Sequence, residues 1–406
     1  MKKSLRSNYN FLLLISMIIG LGLGVLNIPW IFKGAELFSN FFLKLLKLLS
    51  LPLVFFGIGS TITSIKNFNT MVSLGKKVLF YTLLTTIISA SIGLILFLLI
   101  RPNMSVQNGI QISSQINSSG YLAILSKTVP TNILEPFIEN NVISATFLAT
   151  LLGISSLFLK DKEKILVENL FSTFFSLLLN IAKGVLKFLS LATLSFSILF
   201  YKEVSHNQEN LFIFSKYLLC IVGANLLQGF VVLPWLLKAN RLSPIKIAKA
   251  MSPALITAFF SKSSASTLPL TMEIAEEELK LSPSLSRFTF PLCSVINMNG
   301  CAAFILITVL FVSVSNGVQF SLLSMIGWVF LATLAAVGNA GVPMGCYFLT
   351  SSLLTSAGIP LHILGFILPF YTMLDMIETS LNVWSDCCVA SLTNSSLSKQ
   401  VAQGKL

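Results

Sequence analysis

The sequence predicts an all-α polytopic membrane protein with eight transmembrane helices and two re-entrant helical hairpins. Three observations carry that expectation. The chain is 54% hydrophobic and 10% charged, against about 25% charged residues in soluble domains. Apolar runs of about eighteen or more residues recur along it, the length that spans about 30 Å of hydrocarbon. They are continuous and rich in Leu, Ile and Phe, which argues against the alternating pattern of a β-barrel. Finally, two later apolar segments are interrupted by Ser, Gly and Pro, which suits hairpin tips better than spanning helix.

Taken in order, span 1 covers Phe11–Ile31, preceded by Lys2, Lys3 and Arg6. The run lacks a small-x-small cleavage pattern, so it reads as a retained span and not a signal peptide. Span 2 covers Phe41–Ile65 and opens on Lys44 and Lys47, whose long stems can snorkel. Span 3 covers Val78–Ile100, and the polar stretch Arg101–Asn141 follows as an outside loop. Span 4 covers Val142–Leu159, span 5 Leu170–Tyr201 with Lys183 and Lys187, and span 6 Phe212–Leu237. Lys and Arg concentrate in alternate loops, which places both termini in the cytoplasm. The setting expected is a bacterial-type inner membrane, surrounded by lipid. The net charge of +12 is absorbed by this asymmetry, so no nucleic-acid partner is expected.

The second half departs from simple alternation. Ser252–Met272 carries Ser261-Lys262-Ser263-Ser264-Ala265-Ser266-Thr267-Leu268-Pro269 and predicts the first hairpin, entering from the inside. Span 7, Phe288–Val314, is interrupted by Asn297-Met298-Asn299-Gly300. The segment Leu322–Ala357 carries Gly338-Asn339-Ala340-Gly341-Val342-Pro343-Met344-Gly345 and predicts a second hairpin, from the outside. Span 8 covers Leu361–Ala390. Irregular backbone at membrane depth persists only where protein or a wet cavity surrounds it. Paired interrupted segments are therefore the strongest sequence pointer to a transporter binding site.

Span 8 also carries the last three acidic residues of the chain, Asp375, Glu378 and Asp386. With Thr379 and Asn382 they project within an arc of roughly 100° on a helix. Carboxylates at lipid depth are costly and mark ion or substrate paths. The six cysteines, Cys220, Cys293, Cys301, Cys346, Cys387 and Cys388, all lie in apolar segments and read as small core residues. None has metal-ligand spacing to His206 or His362, so neither a zinc site nor a bound cofactor is expected.

Four stretches, Ser263 to Pro269, Asn297 to Gly300, Ala340 to Pro343 and Asp375 to Asp386, together resemble the signatures of the dicarboxylate/amino acid:cation symporters, the glutamate transporter homologues. The resemblance covers nearly the whole chain. It implies a homotrimer and an elevator-like movement of a transport core, residues 241–395, against a scaffold within residues 1–240, with spans 3 and 6 moving with the core and residues 396–406 as a cytoplasmic tail. It implies no enzymatic activity. Residue by residue, it makes Asp375 the partner of a substrate amino group, and Thr379 and Asn382 contacts to the rest of the amino acid backbone. Ser263, Ser264 and Val342 become hairpin contacts to substrate. Asp386 with the backbone at Asn297 and Asn382 would form one sodium site, Met298 with carbonyls around Ala336, Val337 and Asn339 a second, and Thr85 and Thr86 with Asn297 part of a third. Protons are the alternative coupling ion.

This chain departs from the pattern at three places. Glu378 stands where the acidic amino acid transporters carry an Arg. A carboxylate there would repel glutamate or aspartate by about 4 kcal/mol at 4 Å and an effective dielectric constant of 20. Cys301 replaces a Thr near the substrate side chain, and Asn299 replaces an Asp at the third sodium site. The expected substrate is therefore a neutral or cationic amino acid. Glu378 has three open readings: contact to the substrate side chain, carriage of a coupling proton, or pairing with Lys262. Other classes stay open beside this one: an acidic amino acid or dicarboxylate symporter, a channel, or a homologue that does not transport. An intramembrane aspartyl protease fits poorly, since Asp375 and Asp386 share one helix, roughly 16 Å apart along its axis.

Overall fold

The computed structural model describes residues 2–63, 68–102, 129–139, 141–206, 208–337, 339 and 344–402. All regular elements among them are helical. They are α1 Lys2–Val25, α2 Pro29–Thr63, α3 Phe68–Ile100, the short α4 Glu135–Ile138, α5 Val142–Ser156, α6 Asp161–Leu186 and α7 Leu189–His206. Then come α8 Gln208–Leu227, a π-turn Gln228–Val232, α9 Leu233–Ala239, α10 Pro244–Ser261, α11 Ser264–Glu277, α12 Pro283–Ile296, α13 Asn299–Ser315, α14 Leu322–Val337, α15 Gly345–Ser356 and α16 His362–Ala402.

Among the described residues, six helices are long and apolar enough to cross a membrane, and three shorter ones are apolar. Many large apolar side chains face outward, among them Trp30, Leu37 and Phe230. Water would penalise that surface and hydrocarbon would not. The chain is a multi-pass membrane protein. α13 is apolar on every side, the pattern of a helix enclosed by protein, and all its residues but Val314 are buried. It packs on α3, on both α14 and α15, and on α16. α1 packs on α7, and α2 on α5, α6, α7 and α15.

Several expected boundaries are corrected. Span 1 ends at Val25, not Ile31. Asn27 there adopts a left-handed φ of 50°, which Asn tolerates better than most residues, and Pro29 opens the next helix. α2 accordingly begins twelve residues before the expected Phe41, at Pro29. α3 extends back to Phe68, and α5 ends at Ser156. The single span Leu170–Tyr201 is two helices, α6 and α7. The break falls where the Lys187 N–H bonds back to Gly184, three residues away. Span 6 runs through its π-turn without a break, and span 8 continues as helix to Ala402.

The first hairpin also turns earlier than its serine run suggests. Its tip is Lys262-Ser263, with Lys262 left-handed at φ 52°. Ser263 caps α11 by accepting from the Ser266 N–H at 3.2 Å, a favourable use of Ser at a helix start. The rest of the run is therefore the first turn of α11, and Pro269 lies inside that helix. α14 and α15 are the arms of the second interrupted segment, and both lie against α13. Its tip motif, including Val342, lies outside the described residues save for Asn339, Met344 and Gly345.

Candidate functional site

The site is built around a break in one helix. α12 ends at Ile296 and α13 starts at Asn299. Between them Asn297 (φ −98°, ψ 68°) and Met298 (φ −105°, ψ 67°) leave helical geometry. The Asn297 N–H still bonds the Cys293 carbonyl at 2.8 Å and the Met298 carbonyl accepts from the Ala302 N–H at 3.0 Å, so the ladder bends here and resumes in α13. Beside the break runs α16. Gly300 makes the close approach: a Cβ there would lie 2.8 Å from the Glu378 Cα. The Gly300 N–H donates to Asn382 Oδ1 at 2.9 Å. Asn382 Nδ2 faces the Met298 sulfur at 3.4 Å, and Asn339 Nδ2 faces it from the second hairpin at 3.8 Å.

One small pocket gathers most of the expected substrate residues. Ser264, Asp375, Glu378, Thr379 and Asn382 line it, together with Lys262, Met298, Asn339 and Cys346. Ser263 caps the hairpin behind Ser264 and is not part of the lining. The pocket volume is about 10 Å³, room for about one water. An organic ligand would enter only if a hairpin tip moved. The Lys262 ammonium attracts Asp375 across the pocket, and Met344 lies beside it. Glu378 is 1% exposed, and neither of its carboxylate oxygens has a hydrogen-bond partner among the described residues.

A second polar cluster lies deeper. Asn297 Nδ2 donates to Asp386 Oδ1 and to Ser385 Oγ, both at 3.0 Å. Asn299 Nδ2 reaches Ser385 Oγ at 2.8 Å, Asn297 Oδ1 at 2.9 Å and Thr85 Oγ1 at 3.3 Å. Thr85 is itself 3.3 Å from Asn297 Oδ1. Thr86 donates to the Thr82 carbonyl of its own helix and to nothing across the cluster. Ala336 and Val337 end α14 beside Asn339, whose N–H bonds the Ala336 carbonyl at 3.1 Å. A helix C-terminus carries partial negative charge and suits a cation. Oxygen-rich surroundings at Asp386 and at the α14 terminus suit a hard cation such as sodium.

Three contributors escaped the sequence reading. Gln228 is fully buried on the π-turn and donates to Asn299 Oδ1 at 2.7 Å and to the Thr85 carbonyl at 3.0 Å. π-turns recur at functional sites, and an amide in an apolar run, three residues after Asn225, was its only sequence signal. Ser385, buried beside Asp386, accepts from two amides. Cys346 forms a disulfide with Cys301, their Cα atoms 5.4 Å apart. This corrects the reading of all six cysteines as separate core residues; a separation of 45 residues concealed the pair. The other four are free and buried, as expected. With Glu378, Cys301 and Cys346 make the one group of metal-ligating side chains found among the described residues.

Comparison with known proteins fits this arrangement. The model of the sodium:dicarboxylate symporter family matches residues 10–396. An uncharacterized symporter of Haemophilus influenzae is 25% identical over 89% of this chain and 86% of its own length. Mouse neutral amino acid transporter B(0) is 32% identical over 44% of this chain and 33% of its own. Mouse excitatory amino acid transporter 3 is 29% identical over 46% of this chain and 36% of its own. Matched over nearly its whole length, the chain belongs to the sodium:dicarboxylate symporter family.

Proposed function

We propose that this protein is a secondary active symporter that carries a neutral or cationic amino acid with sodium. The observation that carries the substrate class is Glu378. Its carboxylate is buried in the same pocket as Asp375 and has no hydrogen-bond partner among the described residues. A buried charge without a partner is strongly unfavourable, so the pocket favours a ligand that brings donors or positive charge. Asp375 takes the α-amino group, Asn382 and Thr379 orient the backbone end, and Ser264 and Val342 supply hairpin contacts. Glu378 receives the side chain, beside Cys301 and Cys346. An acidic side chain would add a third carboxylate to this space. The likeness to a neutral amino acid transporter supports the same class.

Sodium couples through two groups: Asp386 with Asn297 and Asn382, and Met298 with Asn339 and the α14 terminus at Ala336 and Val337. The Thr85, Thr86 and Asn297 group contributes less, because amide N–H donors from Asn299 and Gln228 already engage its oxygens. The eight spans, the re-entrant hairpins, the trimer and the elevator movement of residues 241–395 belong to this proposal. The pocket's small size supports a moving tip, since no amino acid enters it as it stands.

The test is ligand-dependent thermal unfolding of the purified protein with an amino acid panel, with and without sodium. Neutral or cationic amino acids should stabilise it, and only with sodium. Stabilisation chiefly by glutamate or aspartate would overturn the substrate class. No response to any amino acid would overturn the symporter reading.

A further inference from the structure

Cys301 and Cys346 come from different structural units. Cys301 opens α13, just past the break, and Cys346 opens α15, just past the second hairpin tip. Their sulfurs and a Glu378 carboxylate oxygen lie within 4.8 Å of one another, and all three residues are buried. Asn339 Nδ2 donates to the Cys301 sulfur at 2.9 Å and to the Cys346 sulfur at 3.6 Å. Around these sulfurs three oxygen acceptors lack any hydrogen-bond partner among the described residues: both oxygens of Glu378 and Oδ1 of Asn339. Buried oxygens are nearly always paired, so three acceptors gathered here favour a ligand that carries positive charge. Gly345 preserves the space, because a Cβ there would overlap Asn339 Oδ1.

We propose that Cys301, Cys346 and Glu378 form a redox-gated site for a thiophilic divalent cation such as zinc. In the disulfide form the sulfurs cannot act as thiolate ligands. Exchange with a dithiol opens the site: the Cys301–Cys346 bond breaks, the two cysteines gain the two thiol protons, and the dithiol becomes a disulfide. Binding of the cation then releases two protons and forms two metal–thiolate bonds, with the Glu378 carboxylate as the third ligand. To flank one zinc ion at about 2.3 Å each, the two sulfurs part from bonding distance to roughly 3.8 Å, and Glu378 supplies an oxygen at about 2.0–2.2 Å. The fourth position stays open, next to Asn339. Either the disulfide or the cation pins α15 to α13, and Cys346 lines the substrate pocket. An occupied site therefore blocks movement of the second hairpin tip. This effect on transport rests on the symporter reading; cation binding itself does not.

The experiment titrates cadmium, alone, into the full-length protein in detergent before and after dithiothreitol treatment and removal. The ultraviolet cadmium–thiolate band reports binding. Alkylation should count four free thiols before reduction and six after. Reduced protein should bind one cadmium per chain, the oxidised form none, and E378Q should bind at least tenfold more weakly. Cys301→Ser should abolish the band. If that variant does not fold, cadmium should still protect Cys301 and Cys346 of the reduced native chain from alkylation. Absence of binding after reduction, or protection of the other four cysteines instead, would overturn the proposal. Binding without uptake of any amino acid would leave this site standing and remove the symporter reading.

Discussion

The Asn297 side-chain amide donates to the Asp386 carboxylate at 3.0 Å, joining the break between α12 and α13 to the middle of α16. Asp386 is 3% exposed, and Asn297, from outside α16, holds both it and the adjacent Ser385. Asp386→Asn should therefore abolish sodium-dependent thermal stabilisation while leaving the fold intact. Asn297→Ala should weaken sodium affinity at least tenfold, since it removes the donor that fixes Asp386. Sodium titration by unfolding temperature reads both. Unchanged sodium dependence in Asp386→Asn would exclude this carboxylate from the coupling site.

Gln228 supplies both bonds that tie the π-turn to Asn299 and to the Thr85 carbonyl. Gln228→Leu should cost about 1–3 kcal/mol, the usual effect of leaving buried acceptors unpaired. Asn299→Asp places a carboxylate where an amide now donates to Thr85 and Asn297. That variant should depend more steeply on sodium concentration than the native chain, read as a higher Hill coefficient in binding.

How much of this was legible in the sequence differs by element. The acidic face of α16 was, because charge in an apolar run stands out and helical spacing gives its direction. The break at Asn297 was, because Asn and Gly interrupt a continuous apolar segment. The turn at Lys262-Ser263 was displaced by several residues, since serines read equally well as loop and as helix start, and only the Ser263 cap separates the two. The split at Lys187 was hidden because Lys183 and Lys187 read as interfacial residues of one span, and the end of α1 at Val25 because Asn27 and Pro29 sit in an otherwise apolar run. The Cys301–Cys346 pairing and the reach of Gln228 are products of tertiary packing between distant segments, and spacing along the chain carries no trace of them.

Gly300 permits the closest approach of α13 to α16 at Glu378. Gly300→Ala should force the two helices apart, costing about 1–3 kcal/mol as overpacking does. It should also weaken substrate affinity more than sodium affinity, because it displaces Glu378 and breaks the alignment of the Gly300 N–H with Asn382. Isothermal titration with substrate and with sodium separates the two effects.

Lys262 attracts Asp375 across the pocket and so competes with a substrate ammonium. Lys262→Met should lower the unfolding temperature of the ligand-free protein and raise its affinity for an amino acid several-fold. The free state then loses its compensating cation, while the bound state keeps its own. Loss of amino acid binding in this variant would instead make Lys262 a direct ligand.

The central claim is that Glu378 sets the substrate class. Sodium-driven uptake into proteoliposomes, measured side by side for a cationic, a neutral and an acidic amino acid, tests it most directly in the native chain and in Glu378→Arg. The native chain should accumulate the neutral or the cationic amino acid and exclude the acidic one, and Glu378→Arg should shift acceptance toward the acidic one. Sodium-driven accumulation of glutamate or aspartate by the native chain would contradict the account.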